Sequence, residues 1–113
     1  MKAVFVELPP FERVRKDYWD DNTFRNFQNE MLNNPFSGDV IKGTGGLRKV
    51  RFRDEKRRKG KRGGVRVIYY WWKEGAQFWL FTIYGKDEVT DLTNAERKLL
   101  AELLRHEIQV RSL

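Results

Sequence analysis

Residues 42–66 carry 12 Lys and Arg against 2 Asp and Glu, whereas residues 1–41 carry 5 against 7 and residues 67–113 carry 6 against 7. A net charge of +10 is therefore packed into 25 residues of a chain whose total is only +7. Charge concentrated in this way suits a polyanion, because each phosphate it neutralises releases counterions; a solvated basic run or a membrane-surface patch are the other readings of such a stretch. Within it, LRKVRFR at 47–53 alternates like a strand, with Lys49, Arg51 and Arg53 on one face and Val50 and Phe52 on the other. Arg66 follows Gly63-Gly64 at the head of VRVIYYWW and by alternation shares a face with Ile68 and Tyr70. It can thus join Lys49 and Arg51 on a neighbouring strand, so that three cations meet over one phosphate.

The chemistry open to such a cluster is narrow. An RNA 2′-hydroxyl attacks its own phosphate when a basic group draws off its proton, cations offset the pentavalent charge, and the leaving oxygen is protonated. An Arg fork grips phosphate bidentately and stays charged, whereas a Lys crowded by other cations, as Lys49 is in the sequence, can exchange protons. A histidine pair is excluded, since His106 is the sole His and sits between Arg105 and Glu107, where it reads as a solvated helix residue. Zero Cys excludes thiol nucleophiles and thiolate zinc sites. Asp87, Glu88 and Asp91 could hold a hard cation, but they lie just ahead of Thr93, where acids also complement a helix N-terminus. GTGG and KRGG lack the following helix that a phosphate-cradling loop needs. Tyr70, Trp71 and Trp72 read as core or sheet-surface aromatics rather than base-stacking platforms.

These residues need a frame. KAVFVE at 2–7 reads as an opening strand, closed by Pro9 and Pro10, which suit the first turn of a helix with Phe11, Val14 and Tyr18 on its apolar stripe. Asp21 or Asn22 can cap a second helix with Phe24, Phe27 and Met31 on one face, ended by Asn34-Pro35. After the GTGG loop and the basic strand, DEKRRKGKRGG at 54–64 holds six Lys and Arg, three Gly and no apolar anchor, and reads as a long hairpin connection. VRVIYYWW at 65–72 and QFWLFTIY at 77–84, joined by Lys73 to Ala76, form the next hairpin. Thr93 with Glu96 makes a capping box for a last helix striped by Leu99, Leu100, Leu103, Leu104 and Ile108. The order β-α-α-β-β-β-α predicts an α+β fold: a largely antiparallel four-stranded sheet with helices packed on one face and the other face free for Arg and Lys.

At 113 residues the chain supports one domain, 1–113, and its 40% hydrophobic content is ample for a core. It lacks an apolar run of roughly 18 residues, and MKAVFVELPPFER is unlike a signal peptide, so the expected location is cytoplasmic.

The pieces GTGGLRKVRF, KGKRGGVRVIYY and FTIYGKDEVTDLTNAERK resemble, as a set, the central and C-terminal motifs of RelE/HigB-like toxins of bacterial type II toxin–antitoxin systems, specifically the HigB subgroup with a long basic hairpin. The match runs from about residue 38 to residue 100. It implies a RelE-like fold and a ribosome-dependent endoribonuclease, an mRNA interferase that cuts translated mRNA in the A site of the small ribosomal subunit without metal or other cofactor and so inhibits translation. It implies as partners the ribosome and its rRNA, mRNA, and a cognate HigA-like helix-turn-helix antitoxin. Lys49 and Arg51 match the two basic positions of the family's second strand, and Arg66 matches the Arg that opens the third strand and contacts the scissile phosphate. The family's second Arg, and a Tyr that stacks on a base, fall by position on Asp87 and Thr93. Tyr84 and Lys86 are the nearest residues that could supply stacking or charge instead. Arg48, Arg53, Arg57, Arg58, Lys59, Lys61 and Arg62 are the candidate RNA and ribosome contacts. A non-catalytic basic RNA- or ribosome-binding module needs the same stripe but no convergence on one phosphate. Sequence-specific DNA binding is disfavoured, because no predicted helix has a basic face.

Overall fold

A strand such as VRVIYYWW is apolar on both of its faces and must be covered twice. The computed structural model, which describes residues 2–53, 64–86 and 91–112, shows how. The elements run β1 (Val4–Glu7), α1 (Pro9–Tyr18), α2 (Asp21–Asn33), β2 (Asp39–Val40), β3 (Arg48–Phe52), β4 (Val65–Trp72), β5 (Gln77–Gly85) and α3 (Asn94–Arg111). The sheet order is β1-β5-β4-β3-β2, with β1 parallel to β5 and the other pairs antiparallel. The α+β class stands, but the four-stranded, largely antiparallel sheet is corrected to a five-stranded mixed one. The extra strand, β2, has only two residues, too few to show any alternation. The parallel pairing of β1 with β5 joins opposite ends of the chain, and an apolar run reads the same whichever neighbour it takes.

The expectation that helices pack on one face is likewise overturned. Phe11, Tyr18, Phe24, Phe27 and Met31 of α1 and α2 pack against Val65, Val67 and Tyr69 on one side of the sheet. Leu104 of α3, with Leu100 and Ile108 partly buried beside it, packs against Ile68, Trp79 and Phe81 on the other. The second sheet face is thus not free for cations along its whole length, only beyond the reach of α3.

Local chemistry sets the element ends. Asp20, one residue before the expected cap, accepts a hydrogen bond from the Thr23 N–H at 2.8 Å and opens α2, and Asn34 closes it ahead of Pro35. At α3 both halves of the capping box are present: Thr93 N–H donates to Glu96 at 2.9 Å and Glu96 N–H to Thr93 Oγ1 at 3.1 Å, a feature worth about 1 kcal/mol. Of the leucines expected on one stripe, Leu99 and Leu103 instead point outward, at 57% and 42% exposure.

Two anchors hold the strand that carries Lys49 and Arg51. Trp19, fully buried at the α1–α2 corner, donates from Nε1 to the Arg53 carbonyl at 3.1 Å, and its ring centroid lies 4.9 and 5.3 Å from those of Phe27 and Phe52. Tyr69 donates its hydroxyl to the Pro35 carbonyl at 2.7 Å and accepts from the Gly38 N–H at 3.0 Å. Gly38 is required there, since a Cβ would stand 2.8 Å from the Tyr69 ring and 3.0 Å from the Lys49 backbone. Gly43, Gly45 and Gly46 of the GTGG turn all have positive φ, and the turn leads into β3 rather than a helix.

Candidate phosphate site on the sheet

Antiparallel pairing puts directly opposed residues on the same face. Arg51 of β3 is paired with Arg66 of β4, and Arg66 with Tyr84 of β5, so the three side chains form one row across the sheet. The neighbouring row runs Asp39, Lys49, Ile68 and Thr82. Because Ile68 packs toward α3, both rows lie on the α3 side, and the Arg51 row comes one step beyond the apolar contact.

Arg66 is 6% exposed, and its Nη1 donates to the Val65 carbonyl at 3.2 Å. Burial, and then the adjacent Arg51, lower its pKa, while Tyr84 opposes them. A guanidinium nonetheless stays protonated in proteins, so Arg66 is a fixed charge held partly out of water. Tyr84 is half-buried and its pKa is pushed up, first by burial and further by Asp91 and Glu96, with Arg66 pulling the other way. Its phenol is therefore a neutral O–H donor throughout the physiological range. The row offers two phosphate-gripping forks and one hydroxyl that carries a proton.

The other sequence candidates separate. Lys49 stands one row away and is half-buried. Lys86 is exposed just past β5, where its N–H closes the hairpin end on the Gly64 carbonyl at 3.0 Å. Arg48 pairs with Tyr69 and so leaves the opposite face, where its Nη1 donates to the Gly38 and Phe36 carbonyls at 2.7 and 3.3 Å and its head stacks 4.9 Å from the Phe36 ring. Arg53, expected beside Lys49 and Arg51, is turned to α2 and paired with Glu30 at 3.2 Å, because the strand ends at Phe52. Arg57, Arg58, Lys59, Lys61 and Arg62 lie outside the described residues, as do Asp87 and Glu88. Asp91 sits 3.7 Å from Arg97. Among the described residues no group of three acids or His could hold a metal ion, and no helix is long and apolar enough to cross a membrane.

Sequence reasoning missed Asp39. Its place opposite Lys49 depends on a two-residue strand, and no periodicity signals one. It also missed an apolar groove of about 530 Å³ between the start of α1 and α3, lined by Leu8, Pro10, Phe81, Leu99 and Leu103 and reaching Tyr84 at one end. Its lining takes in Ile68, Thr82 and Tyr84, the apolar and hydroxyl ends of the two rows, together with Glu96 and Glu107 and no Lys or Arg.

No protein-family model matches the chain. Among solved structures the chain is similar to the E. coli toxin RelE, in the free state of a mutant with two arginines replaced by alanine. The likeness has a TM-score of 0.51 at 14% identity and covers 80% of this chain and 90% of that one. At such identity it shows a shared fold, and the architecture described above is RelE-like.

Proposed function

We propose that this chain is the toxin of a type II toxin–antitoxin pair, acting as one domain and as a ribosome-dependent endoribonuclease of the HigB subgroup in the cytoplasm. The observation that carries the proposal is the Arg51–Arg66–Tyr84 row. Two like charges directly opposed on one sheet face are unfavourable for folding and make sense where a phosphate sits between them. In this reading the two guanidiniums hold the scissile phosphate and meet the charge that grows on its oxygens as the 2′-hydroxyl attacks. Tyr84, the only hydroxyl in the row, gives its proton to the leaving 5′ oxygen and so restores a neutral product terminus. The nucleophile's proton leaves to solvent water, and Lys49, one row away, adds positive charge beside the attacking oxygen. These residues supply charge and protons themselves, so no metal step is invoked.

The RelE-like fold and the motif resemblance at about residues 38–100 support the toxin class, with the ribosome and mRNA as target and a HigA-like antitoxin as partner. The engagement of Arg48 and Arg53 within the fold argues against a module that binds RNA through an undivided basic stripe.

The decisive experiment maps messenger 5′ ends after brief expression, with and without active translation. New ends inside translated reading frames, absent when initiation is blocked, are expected. An unchanged set of ends, with growth unimpaired when no neighbouring gene is supplied, rejects the proposal.

A further inference from the structure

α3 carries two apolar stripes, and the fold of one chain uses only the first. Leu104 is buried and Leu100 and Ile108 are half-buried against the sheet. Leu99, Leu103 and Val110 leave the helix on another side, at 57%, 42% and 54% exposure. At about 100° per residue these three lie within about 40° of one another and roughly 120° from Leu104. Glu96 and His106, both exposed, flank the same stripe. Glu96, Leu99, Leu103, His106 and Val110 are thus spaced 3, 4, 3 and 4, the interval of a helix-pairing seam.

The polar members of the seam say what it pairs with. When Leu99 of one helix is set opposite Leu103 of an identical antiparallel helix, each step back along one is a step forward along the other. Three steps bring Glu96 opposite His106, and symmetry brings His106 opposite Glu96. Seven steps carry Val110 toward Leu92, which stands just ahead of the helix and lines the apolar groove together with Leu99 and Leu103. An acid and an imidazole placed symmetrically about two leucines complement their own copy and no other surface in particular. Glu96 accepts the Thr93 N–H on Oε1 and has a second oxygen with which to meet a cation. The two copies of Glu102 meet at the water-facing rim, where like charges count for little.

Net charge points the same way. Residues 94–111 carry 4 Lys and Arg against 3 Glu, so two copies approach here without the repulsion that segment 42–66 imposes. RNA is turned away, because the groove beside the stripe holds Glu96 and Glu107 and no Lys or Arg. We infer that the outer stripe of α3 is an interface for a second copy of this chain, the two helices antiparallel about a two-fold axis with Leu99 against Leu103 and Glu96 against His106. The inference is independent of the nuclease reading.

Sedimentation equilibrium of the full chain at neutral pH tests it. A reversible dimer is expected, with a Kd on the order of 10–100 µM, as suits a contact at the small end of the interface range. Leu99→Gln with Leu103→Gln removes the apolar pair at exposed positions with another good helix former, and this variant should stay monomeric to about 0.5 mM with its helical circular dichroism unchanged. His106→Glu sets two carboxylates together at each end of the seam and should weaken the dimer at least roughly threefold, whereas His106→Lys keeps a cation there and should hold or tighten it. A parent protein that is monomeric at about 0.5 mM, or a dimer that survives the double leucine variant, overturns the interface. The two His106 variants behaving alike overturns the antiparallel register, since a parallel pair would set His106 against itself.

Discussion

Arg51 lies directly opposite Arg66 across the β3–β4 ladder, two guanidiniums on the same face of neighbouring strands. Directly opposed like charges destabilise a sheet by up to about 1 kcal/mol, less when one is exposed as Arg51 is. Arg51→Gln should therefore raise the denaturation midpoint by a few tenths of a kcal/mol in stability while lowering cleavage at least tenfold. Added salt should stabilise the parent more than the variant, because the repulsion is screened. Equal salt responses would mean the two heads do not feel each other.

Gly38 and Tyr69 together fix the β2 edge. Gly38→Ala places a Cβ against the Tyr69 ring and the Lys49 backbone and should cost about 1–3 kcal/mol. Tyr69→Phe leaves the buried Gly38 N–H without its acceptor and should cost a similar amount, about 1–3 kcal/mol. Urea midpoints check both. A neutral Gly38→Ala would show that β2 can move away freely from Tyr69 and the Lys49 backbone.

Tyr84 and Tyr69 both have pKa values pushed above the ordinary phenol range, chiefly by burial. For an acid whose folded pKa is raised, the neutral form belongs to the folded state. Its stabilisation is fully present below the unfolded value near about 10 and is lost as pH rises through the raised folded value. Stability should therefore be indifferent to these phenols from neutrality to about pH 9 and fall above about pH 10. Tyr84→Phe should make that alkaline loss smaller, as read from denaturation midpoints across pH. Cleavage by the parent should not titrate through Tyr84 below about pH 9, since its proton stays on. An activity loss near neutrality that vanishes in Tyr84→Phe would contradict the assignment.

Much of the frame was readable because the signals were local. The Thr93–Glu96 box, the Phe24, Phe27 and Met31 face and the bounds of β4 need only neighbours along the chain. The convergence of Lys49, Arg51 and Arg66 on one face also followed from alternation, since antiparallel pairing preserves it. What escaped was long-range or too short to be periodic. The partner of β1 is set by β5 some seventy residues away, and β2 has two residues. The second helical layer was hidden although β4 announced it: a strand apolar on both faces requires cover on both, and α3 supplies the second. Arg53 escaped because Phe52 ends the strand, so alternation no longer governs where its guanidinium goes.

The segment 54–63, whose structure lies outside the described residues, is expected to dock on ribosomal RNA through charge, having six Lys and Arg and no apolar anchor. Replacing Arg57, Arg58, Lys59 and Lys61 with Ser should weaken ribosome binding and flatten its dependence on salt, each lost phosphate contact removing roughly one unit from the slope. The same variant should retain cleavage when protein is in large excess, since the phosphate row is untouched. An unchanged salt slope would show that this segment does not meet phosphate.

Arg66 is expected to contribute more to cleavage than any other side chain. It is the middle member of its row, flanked by Arg51 and Tyr84, and its burial holds the fork in place with little freedom to lose on binding RNA. Charge in the transition state is greater than in the ground state, so a fixed guanidinium among partly desolvated neighbours acts mainly on the chemical step. Its loss should cost on the order of 3 kcal/mol, roughly a hundredfold or more in rate, with ribosome affinity reduced far less. Arg66→Lys keeps the charge but not the planar fork and should fall between parent and Arg66→Ala. Because the residue is buried, Arg66→Met serves as the control for packing, matching its length without a charge; it should fold and bind ribosomes yet cut no faster than Arg66→Ala. Single-turnover cleavage of ribosome-bound messenger separates the chemical step from binding. If Arg66→Ala or Arg66→Met cuts at close to the parent rate, the catalytic centre lies elsewhere and this face of the sheet is a docking surface only.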